Sequence, residues 1–393
     1  MRVQKLELRN FRNLSQIAFE ADPKINLILG KNGQGKTSIL EGIGYLASLR
    51  SFRSAKVTDL VQQEFHQSTL RCVLQLETES QESDWTTQLE IELKNKPSSH
   101  RIAKVNGKIA KSTSSYLTQR FGNARLGFHA VIFNPADHDL IQGDPKGRRA
   151  YLDQWLSAEN PNYLESLTRY KRVLDQRNAL LKNEHGFSHS YLEEFDRPLI
   201  QTGANLTQER LRWIHRINLP LKEAVKRIAK NQADISLNYR SNWAFSDSFP
   251  GLIEPISLEI LETNFRKNLL QQRAVEQRLK STIVGPHRDD WEISLGAAPL
   301  KSFGSQGEIR SVLLGMKICE IESFQTTTQQ LPVFLLDDLS SELDQWRRKQ
   351  LIEFLEQSNL QVFITTTESS WTPGKVIQIL DGAIHDDSRI SSQ

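Results

Sequence analysis

The sequence predicts an α/β fold in which a mixed-sheet lobe, built from the two ends of the chain, is interrupted by a mainly helical insertion. Three observations carry that expectation. A short buried strand runs into a glycine-rich loop and a helix near the start. An apolar strand ending in two carboxylates lies near the end. Between them, from about residue 147 to 231, the texture changes from strand-rich to helix-rich.

The first observation is the most informative. Asn26-Leu27-Ile28-Leu29 reads as a strand, and residues 37–48 read as a helix with apolar Ile39, Leu40, Ile43 and Leu46. Between them stands Gly30-Lys31-Asn32-Gly33-Gln34-Gly35-Lys36-Thr37, followed by Ser38. Glycine, four residues, then Gly-Lys-Thr is the spacing of a phosphate-binding loop. A helix start there presents backbone N–H groups and the positive end of the helix dipole to an anion. Glycines at 30, 33 and 35 let the backbone curl around a triphosphate where side chains would clash. Lys36 is then placed to reach the β- and γ-phosphates, and the Thr37 hydroxyl to ligate magnesium. A glycine-rich turn matching by accident would not bring strand, helix and full spacing together. The sequence therefore carries a nucleoside triphosphate site.

Length and composition set the frame. A chain of 393 residues has room for two or three domains, and 38% hydrophobic with 25% charged residues describes a soluble globular protein. No apolar run approaches the roughly 20 residues of a membrane span. Met1 to Leu8 alternates like a strand and has no signal-peptide core. Cys72 and Cys319 form no metal-spaced pair, so a reducing cytoplasm is the expected location. A net charge of +3 does not by itself argue for nucleic acid.

Taken in order, residues 2–9, 14–20 and 25–29 read as strands, and 69–78 with 85–94 as a hairpin. Val105-Asn106-Gly107-Lys108 signals a tight turn, and Ala130 to Phe133 a short strand closed by Asn134-Pro135. Asn160-Pro161 reads as a helix cap with Pro at the first helical position, Gly186 to Ser190 as a break, and Pro220 as a kink or boundary. A strand is expected over 233–239 and a helix over 257–280, with strand and helix alternating again from 291. The expected organisation is a lobe piece over 1–134, a helical insertion over 135–290 and a second lobe piece over 291–393. No heptad run is long enough for an extended coiled coil.

Leu331 to Leu336 is an apolar strand ending in Asp337-Asp338. In a phosphate-loop fold such a strand delivers Asp337 to the metal held by Thr37, and Asp338 to orient or deprotonate an attacking water. A pair of helix N-caps is the competing reading for these two residues taken alone. Phe303-Gly304-Ser305-Gln306-Gly307-Glu308 precedes a helix carrying Ile309, Val312, Leu313 and Met316. Ser305 and Glu308 have capping-box spacing; the functional alternative is a second phosphate-facing helix start, supplied by a partner subunit.

The order of these motifs resembles the ABC-type ATPase heads of the SMC superfamily, and within it the RecF family of bacterial recombination mediators. Leu8-Arg9-Asn10-Phe11-Arg12-Asn13 is similar to the opening, Gly33 to Thr37 to the phosphate loop, and Ser305-Gln306-Gly307-Glu308 to the signature motif. Leu336-Asp337-Asp338 with Ser341-Glu342-Leu343-Asp344 is similar to the Walker B and D-loop, and Val284-Gly285-Pro286-His287-Arg288-Asp289-Asp290 to a stretch associated with RecF in particular. The resemblance implies a composite site: ATP and Mg2+ held by Lys36, Thr37 and Asp337 of one subunit and closed by Ser305 and Gly307 of the other, with Asp344 near the seam. It implies slow hydrolysis, with Asp338 where such heads often carry Glu, and Thr366 sensing the γ-phosphate in place of a histidine. The signature has Glu308 where Gln is expected, and Asn134 or Asp137 occupies the region of the Q-loop glutamine.

The same resemblance implies an ATP-dependent homodimer that clamps double-stranded or gapped DNA at single-strand/duplex junctions, and RecO and RecR as partners in loading RecA. A weak, DNA-stimulated ATPase would reset the clamp. Arg148, Arg149, Arg210, Arg212, Arg216, Lys226 and Arg227 make the insertion locally basic, the footprint expected of phosphate-backbone contact. A solvated helix face laced with i,i+4 ion pairs is the competing reading for any one of them. Rival functions are the ATPase subunit of a membrane transporter, a small-molecule kinase and an SMC-like tether. The roughly 300 residues between Thr37 and Asp337 count against the transporter subunit.

Overall fold

The computed structural model describes residues 1–53, 55–76, 85–121, 124–183, 189–229, 234–245, 249–250, 256–338, 343–367 and 374–390. The chain divides into two compact units, Met1–Asp137 with Leu313–Gln393, and His138–Val312.

In the first unit, Ala130–Phe133, Val333–Leu336, Gln361–Thr366, Ile25–Leu29, Gly374–Leu380 and Ala383–Ile390 form a sheet in that spatial order. The first five run parallel and the last pairs antiparallel. Every residue of Val333–Leu336 and Gln361–Thr366 is buried, as expected of central parallel strands covered on both faces. The run Val333-Phe334-Leu335-Leu336 is continuous rather than alternating for that reason.

A second, antiparallel sheet holds Leu14–Glu20, Arg2–Phe11, Gln67–Leu76, Trp85–Lys94, His100–Val105 and Lys108–Ile109. Its register sets Leu6 opposite Cys72 and Cys72 opposite Leu89, so the alternating apolar residues share one buried face. Asn106 at φ 50° and Gly107 at φ 75° make the tight turn expected between Val105 and Lys108. The helix Lys36–Ser48 is buried along most of its length. A Cβ on Gly42 would stand 2.9 Å from Leu8 of the antiparallel sheet, and one on Gly44 2.9 Å from Ile132 of the parallel sheet. Two glycines thus let the phosphate-loop helix lie in close contact with both sheets.

The second unit contains the helices Pro145–Glu159, Pro161–Leu181, His189–Ile228 and Leu258–Leu279. Beside them is a sheet of Phe249–Pro250, Ile235–Arg240, Asp290–Leu295 and Ala298–Pro299. Asn160 caps its helix as expected, its side chain accepting from the Asn162 N–H. Two expectations shift. The lobe boundary anticipated at residue 290 coincides with a strand that pairs with Ile235–Arg240, placing Trp291 opposite Tyr239, so this unit continues to Val312. Of the two readings of Pro220, kink or boundary, the boundary is overturned: the residue lies inside the helix His189–Ile228. Packing overrides the local break: Ile217, Leu221, Ala224, Val225 and Ile228 are all buried. Asn218 also donates to the Leu237 carbonyl at 2.8 Å and accepts its N–H at 3.1 Å, tying the helix to the neighbouring strand. Most of the expected break at Gly186 to Ser190, and Lys230 to Ala233, lie outside the described residues.

Candidate nucleotide site

The phosphate loop opens onto a cleft of about 800 Å3 in the first unit, lined in part by Asn32, Gly33, Gly35, Lys36, Thr37 and Ser38. Gly33 and Gly35 take φ of 83° and 104°, the left-handed region that glycine enters freely. A Cβ on Gly35 would also stand 2.5 Å from Leu14, and one on Gly30 2.7 Å from the Ile379 carbonyl oxygen. Lys31 and Asn32 are exposed at the tip, and the Gln34 side chain accepts the Asp381 N–H. Lys36 folds across the loop, its Nζ donating to the Gly30 carbonyl at 2.6 Å and the Lys31 carbonyl at 2.9 Å. Burial lowers its pKa, opposed by the nearby carboxylates of Asp338 and Asp337. Those bonds mark where a terminal phosphate oxygen would replace the two carbonyls.

The two motifs meet across 300 residues of chain: Thr37 Oγ1 donates to Asp337 Oδ1 at 2.9 Å. Thr365 Oγ1 donates to the same oxygen at 2.7 Å and accepts the Asp338 N–H at 2.8 Å. Burial raises the pKa of Asp337, while its bonds with Thr365 and Thr37 pull the other way. Asp338 faces the cleft from a left-handed backbone at φ 50°. Among the described residues no cluster of three or more His, Cys, Asp or Glu could hold a metal. The Thr37 and Asp337 oxygens do fit magnesium, which takes one or two protein oxygens and completes its octahedron with water and phosphate.

Thr366 differs from expectation. It is buried at 1% exposure at the end of Gln361–Thr366 and is not among the residues lining the cleft; its carbonyl accepts the Gly30 N–H at 3.4 Å. Alternation along a strand turns neighbouring side chains to opposite faces, and it is Thr365 that faces the cleft. Asn13 was also missed. Its Nδ2 donates to the Gly33 carbonyl at 2.9 Å and its Oδ1 accepts from Ser38 Oγ at 2.8 Å, bracing the loop from both ends. Only its place in the Leu8 to Asn13 stretch pointed to it. Arg12 and Arg53 line the cleft as well.

In the second unit, Ser305 is exposed at the start of Gln306–Thr328. Its N–H and hydroxyl donate to Glu308 Oε2 at 2.8 and 2.7 Å, and its Oγ accepts the Glu308 N–H at 3.3 Å. That is a complete capping box. The hydrogen bond from Ser305 holds the Glu308 carboxyl below its ordinary pKa. Gly307 is half-buried behind it, and Phe303 is 72% exposed ahead of it. Asp344 caps the helix Gln345–Gln357, accepting the Arg347 N–H; Ser341 and Glu342 lie outside the described residues. Asn134 and Asp137 bond to one another, and Asp137 lies 3.4 Å from Lys317.

The basic residues sort sharply. Arg148 is buried in a two-pronged pair with Asp290, 2.8 Å at each contact. Arg210 is 2% exposed and donates to Asp153, Pro286 O and the hydroxyls of Tyr163 and Tyr239. Neither can meet a phosphate backbone, because each is consumed by the interior of the unit. Arg149 is half-buried and donates to the Asp289 carbonyl at 2.8 Å. Arg212, Arg216, Lys226 and Arg227 are exposed along one helix; Arg212 pairs with Glu209, and Arg216 with Glu159 at 2.6 Å. His287 is an internal brace, bonded to the Tyr170 hydroxyl at 2.6 Å and to Thr282 O at 3.0 Å, and burial pushes its pKa down to about 4.

The chain matches the model of the RecF/RecN/SMC N terminal domain over residues 2–376. It is 34% identical to the DNA replication and repair protein RecF of Heliobacterium modesticaldum over 369 residues, 93% of this chain and 92% of that protein. Identity to the RecF of Streptococcus pneumoniae is 34% over 367 residues, with 93% of each covered. Among solved structures it is similar to the recombination mediator protein RecF-ATP in the RecFOR pathway, at 30% identity and a TM-score of 0.86, over 99% of this chain and 97% of that one. The RecF-ATPrS structure follows at 31% and 0.83, over 98% of each. An SMC head bound to the C-terminal winged helix of ScpA shares the fold alone, at 14% identity and 0.51. With the phosphate loop and the Asp337-Asp338 strand joined in one cleft, and likeness running nearly end to end, the chain belongs to the RecF family of DNA replication and repair proteins.

Proposed function

We propose that this chain is an ATP-dependent DNA clamp: two copies close on ATP, hold duplex DNA at a single-strand/duplex junction, and reopen on slow hydrolysis. The observation that carries the reading is the bond from Thr37 to Asp337, which joins the two halves of a triphosphate site in one cleft. Lys36 exchanges the Gly30 and Lys31 carbonyls for phosphate oxygens, while Asn13 keeps Gly33 and Ser38 in place. Thr37 and Asp337 would hold magnesium, which when bound would supply charge neutralisation for the phosphates. Asp338 orients the attacking water and accepts its proton; a carboxylate one methylene shorter than Glu reaches less far, which favours slow turnover. Thr365, which lines the cleft, takes the γ-phosphate-sensing role expected of Thr366.

An exposed Ser305 on an exposed helix start supports closure by a second copy, since a buried one could reach no partner's phosphate. DNA contact then falls to Arg212, Arg216, Lys226 and Arg227, with Arg148 and Arg210 as interior braces. Partnership with RecO and RecR in loading RecA, and stimulation of hydrolysis by DNA, belong to the same reading. A transporter subunit is not favoured by the family. Sedimentation with and without ATP, each with and without duplex DNA, tests the proposal: the dimer is expected only with ATP, and tight DNA binding only with the dimer. ATP binding without any change in sedimentation would count against it.

A further inference from the structure

We infer that Glu41 is a positioning residue: its buried carboxylate holds Arg12 and the Ser51 to Arg53 segment in place, so that the cation-bearing wall of the cleft is preformed for a nucleoside triphosphate. The inference rests on the nucleotide reading above. Glu41 stands four residues after Thr37 on the same helix, so the two share a face one turn apart. It is 0% exposed. A buried carboxylate is strongly unfavourable unless paired and hydrogen-bonded. Here Arg12 Nε and Nη2 reach its two oxygens at 2.9 and 2.7 Å, and Ser51 Oγ donates at 2.5 Å. Arg53 Nη1 stands farther off, at 3.8 Å, and is half-exposed.

Each partner of Glu41 leads to the cleft. Arg12 and Arg53 both line it. Arg12 has φ 57°, a conformation a long side chain rarely adopts, so tertiary contacts hold it there rather than local preference. Its Nη1 donates to the Asp59 carbonyl at 3.0 Å and its backbone N–H to the Leu60 carbonyl at 2.8 Å. Those bonds fix the approach to Val61, Gln62, Gln63 and Glu64, which also line the cleft. On the other side, Ser51 Oγ accepts the N–H groups of Arg53 at 3.0 Å and Ala55 at 3.3 Å. One carboxylate therefore anchors two of the stretches of chain that line the cleft. A fixed guanidinium binds an anion better than a free one, because its ordering cost is met before the ligand arrives.

The test is a double-mutant cycle on equilibrium ATP affinity, read by titration of the full chain with a fluorescent ATP analogue, with thermal unfolding as a check on folding. Glu41→Gln keeps the volume and removes the charge; it is expected to weaken ATP binding about tenfold. Arg12→Met should do the same, and the double variant should lose less than the product of the two single effects, since part of what Glu41 does runs through Arg12. Glu41→Gln that folds and binds ATP as the parent does, or effects that simply multiply in the double variant, would overturn the assignment. Should Glu41→Gln fail to fold, Ser51→Ala removes one ligand of the carboxylate without stranding the charge. A roughly threefold loss of ATP affinity is expected of it, and an unchanged affinity would overturn the assignment equally. Absence of ATP binding by the parent chain would instead sink the nucleotide reading itself, and this inference with it.

Discussion

Arg210→Met is the sharpest test of how the basic residues divide. In the folded chain the guanidinium is 2% exposed and holds Asp153 at 2.8 Å, the Pro286 carbonyl at 2.7 Å, and the hydroxyls of Tyr163 and Tyr239 at 3.1 and 3.2 Å. Removing it strands a buried carboxylate, a change that costs ~3–5 kcal/mol, and leaves a buried carbonyl unpaired at ~1–3 kcal/mol. The Tyr163 hydroxyl at 2.7 Å and Lys171 at 3.5 Å remain beside Asp153 and offset part of this. The expected net loss is about 4 kcal/mol, a large share of the ~5–15 kcal/mol that holds a domain together. Urea unfolding followed by tryptophan fluorescence suits the measurement, because buried Trp155, Trp213, Trp243 and Trp291 all belong to the second unit. Arg212→Met is the matched control: its exposed pair with Glu209 is worth at most ~1 kcal/mol. If Arg210→Met unfolded within ~1 kcal/mol of the parent, the interior-brace assignment would be refuted.

The exposed residues should behave in the opposite way. Replacing Arg212, Arg216, Lys226 or Arg227 by Met is expected to leave unfolding nearly unchanged, except at Arg216, whose loss strands the buried Glu159 carboxylate. It should also lower the salt dependence of DNA binding by ~0.9 in log–log slope for each DNA phosphate that the variant no longer neutralises; unchanged slopes in all four would place the DNA elsewhere. Lys36→Ala should abolish ATP-dependent dimerisation and weaken DNA binding, and an ATP-induced dimer persisting in sedimentation would contradict the closure mechanism. Asp338→Asn should accumulate as an ATP-bound dimer; a variant that binds ATP yet stays monomeric argues against its role. Burial pushes the Asp289 carboxyl up to about 7 from an ordinary 3.8, so the folded state holds an extra proton between those values. That contribution to stability is present in full at low pH and is lost as pH rises through about 7. Asp289→Asn should therefore gain stability relative to the parent from pH 5 to 8 in urea titrations, and a constant difference across that range would show that Asp289 does not titrate there.

Much of the nucleotide site was legible in one dimension because its chemistry is local. A phosphate loop needs glycines at set spacings, a strand before and a helix after, and all of these lie within Asn26 to Ser48. The Asp337-Asp338 strand was legible for a similar reason, since a strand buried on both faces writes itself as an unbroken apolar run. Of the two neighbouring threonines at the end of one strand, Thr365 lines the cleft and Thr366 does not, and only the pleat decides this. The basic insertion was the harder case. Composition counts charges but does not say which of them the interior consumes.

By itself, then, the sequence determined the α/β class, the triphosphate loop, its distant acidic strand and the family these motifs resemble. The tertiary structure alone decided that Arg148 and Arg210 are interior braces, that Asn13 bonds the phosphate loop at Gly33 and Ser38, and that Glu41 is buried against Arg12. The physical reason is common to all of them. Each depends on a partner contributed by another element, as Asp290 is to Arg148, or Arg12 to Glu41, and the worth of a charge is set by what it is buried against.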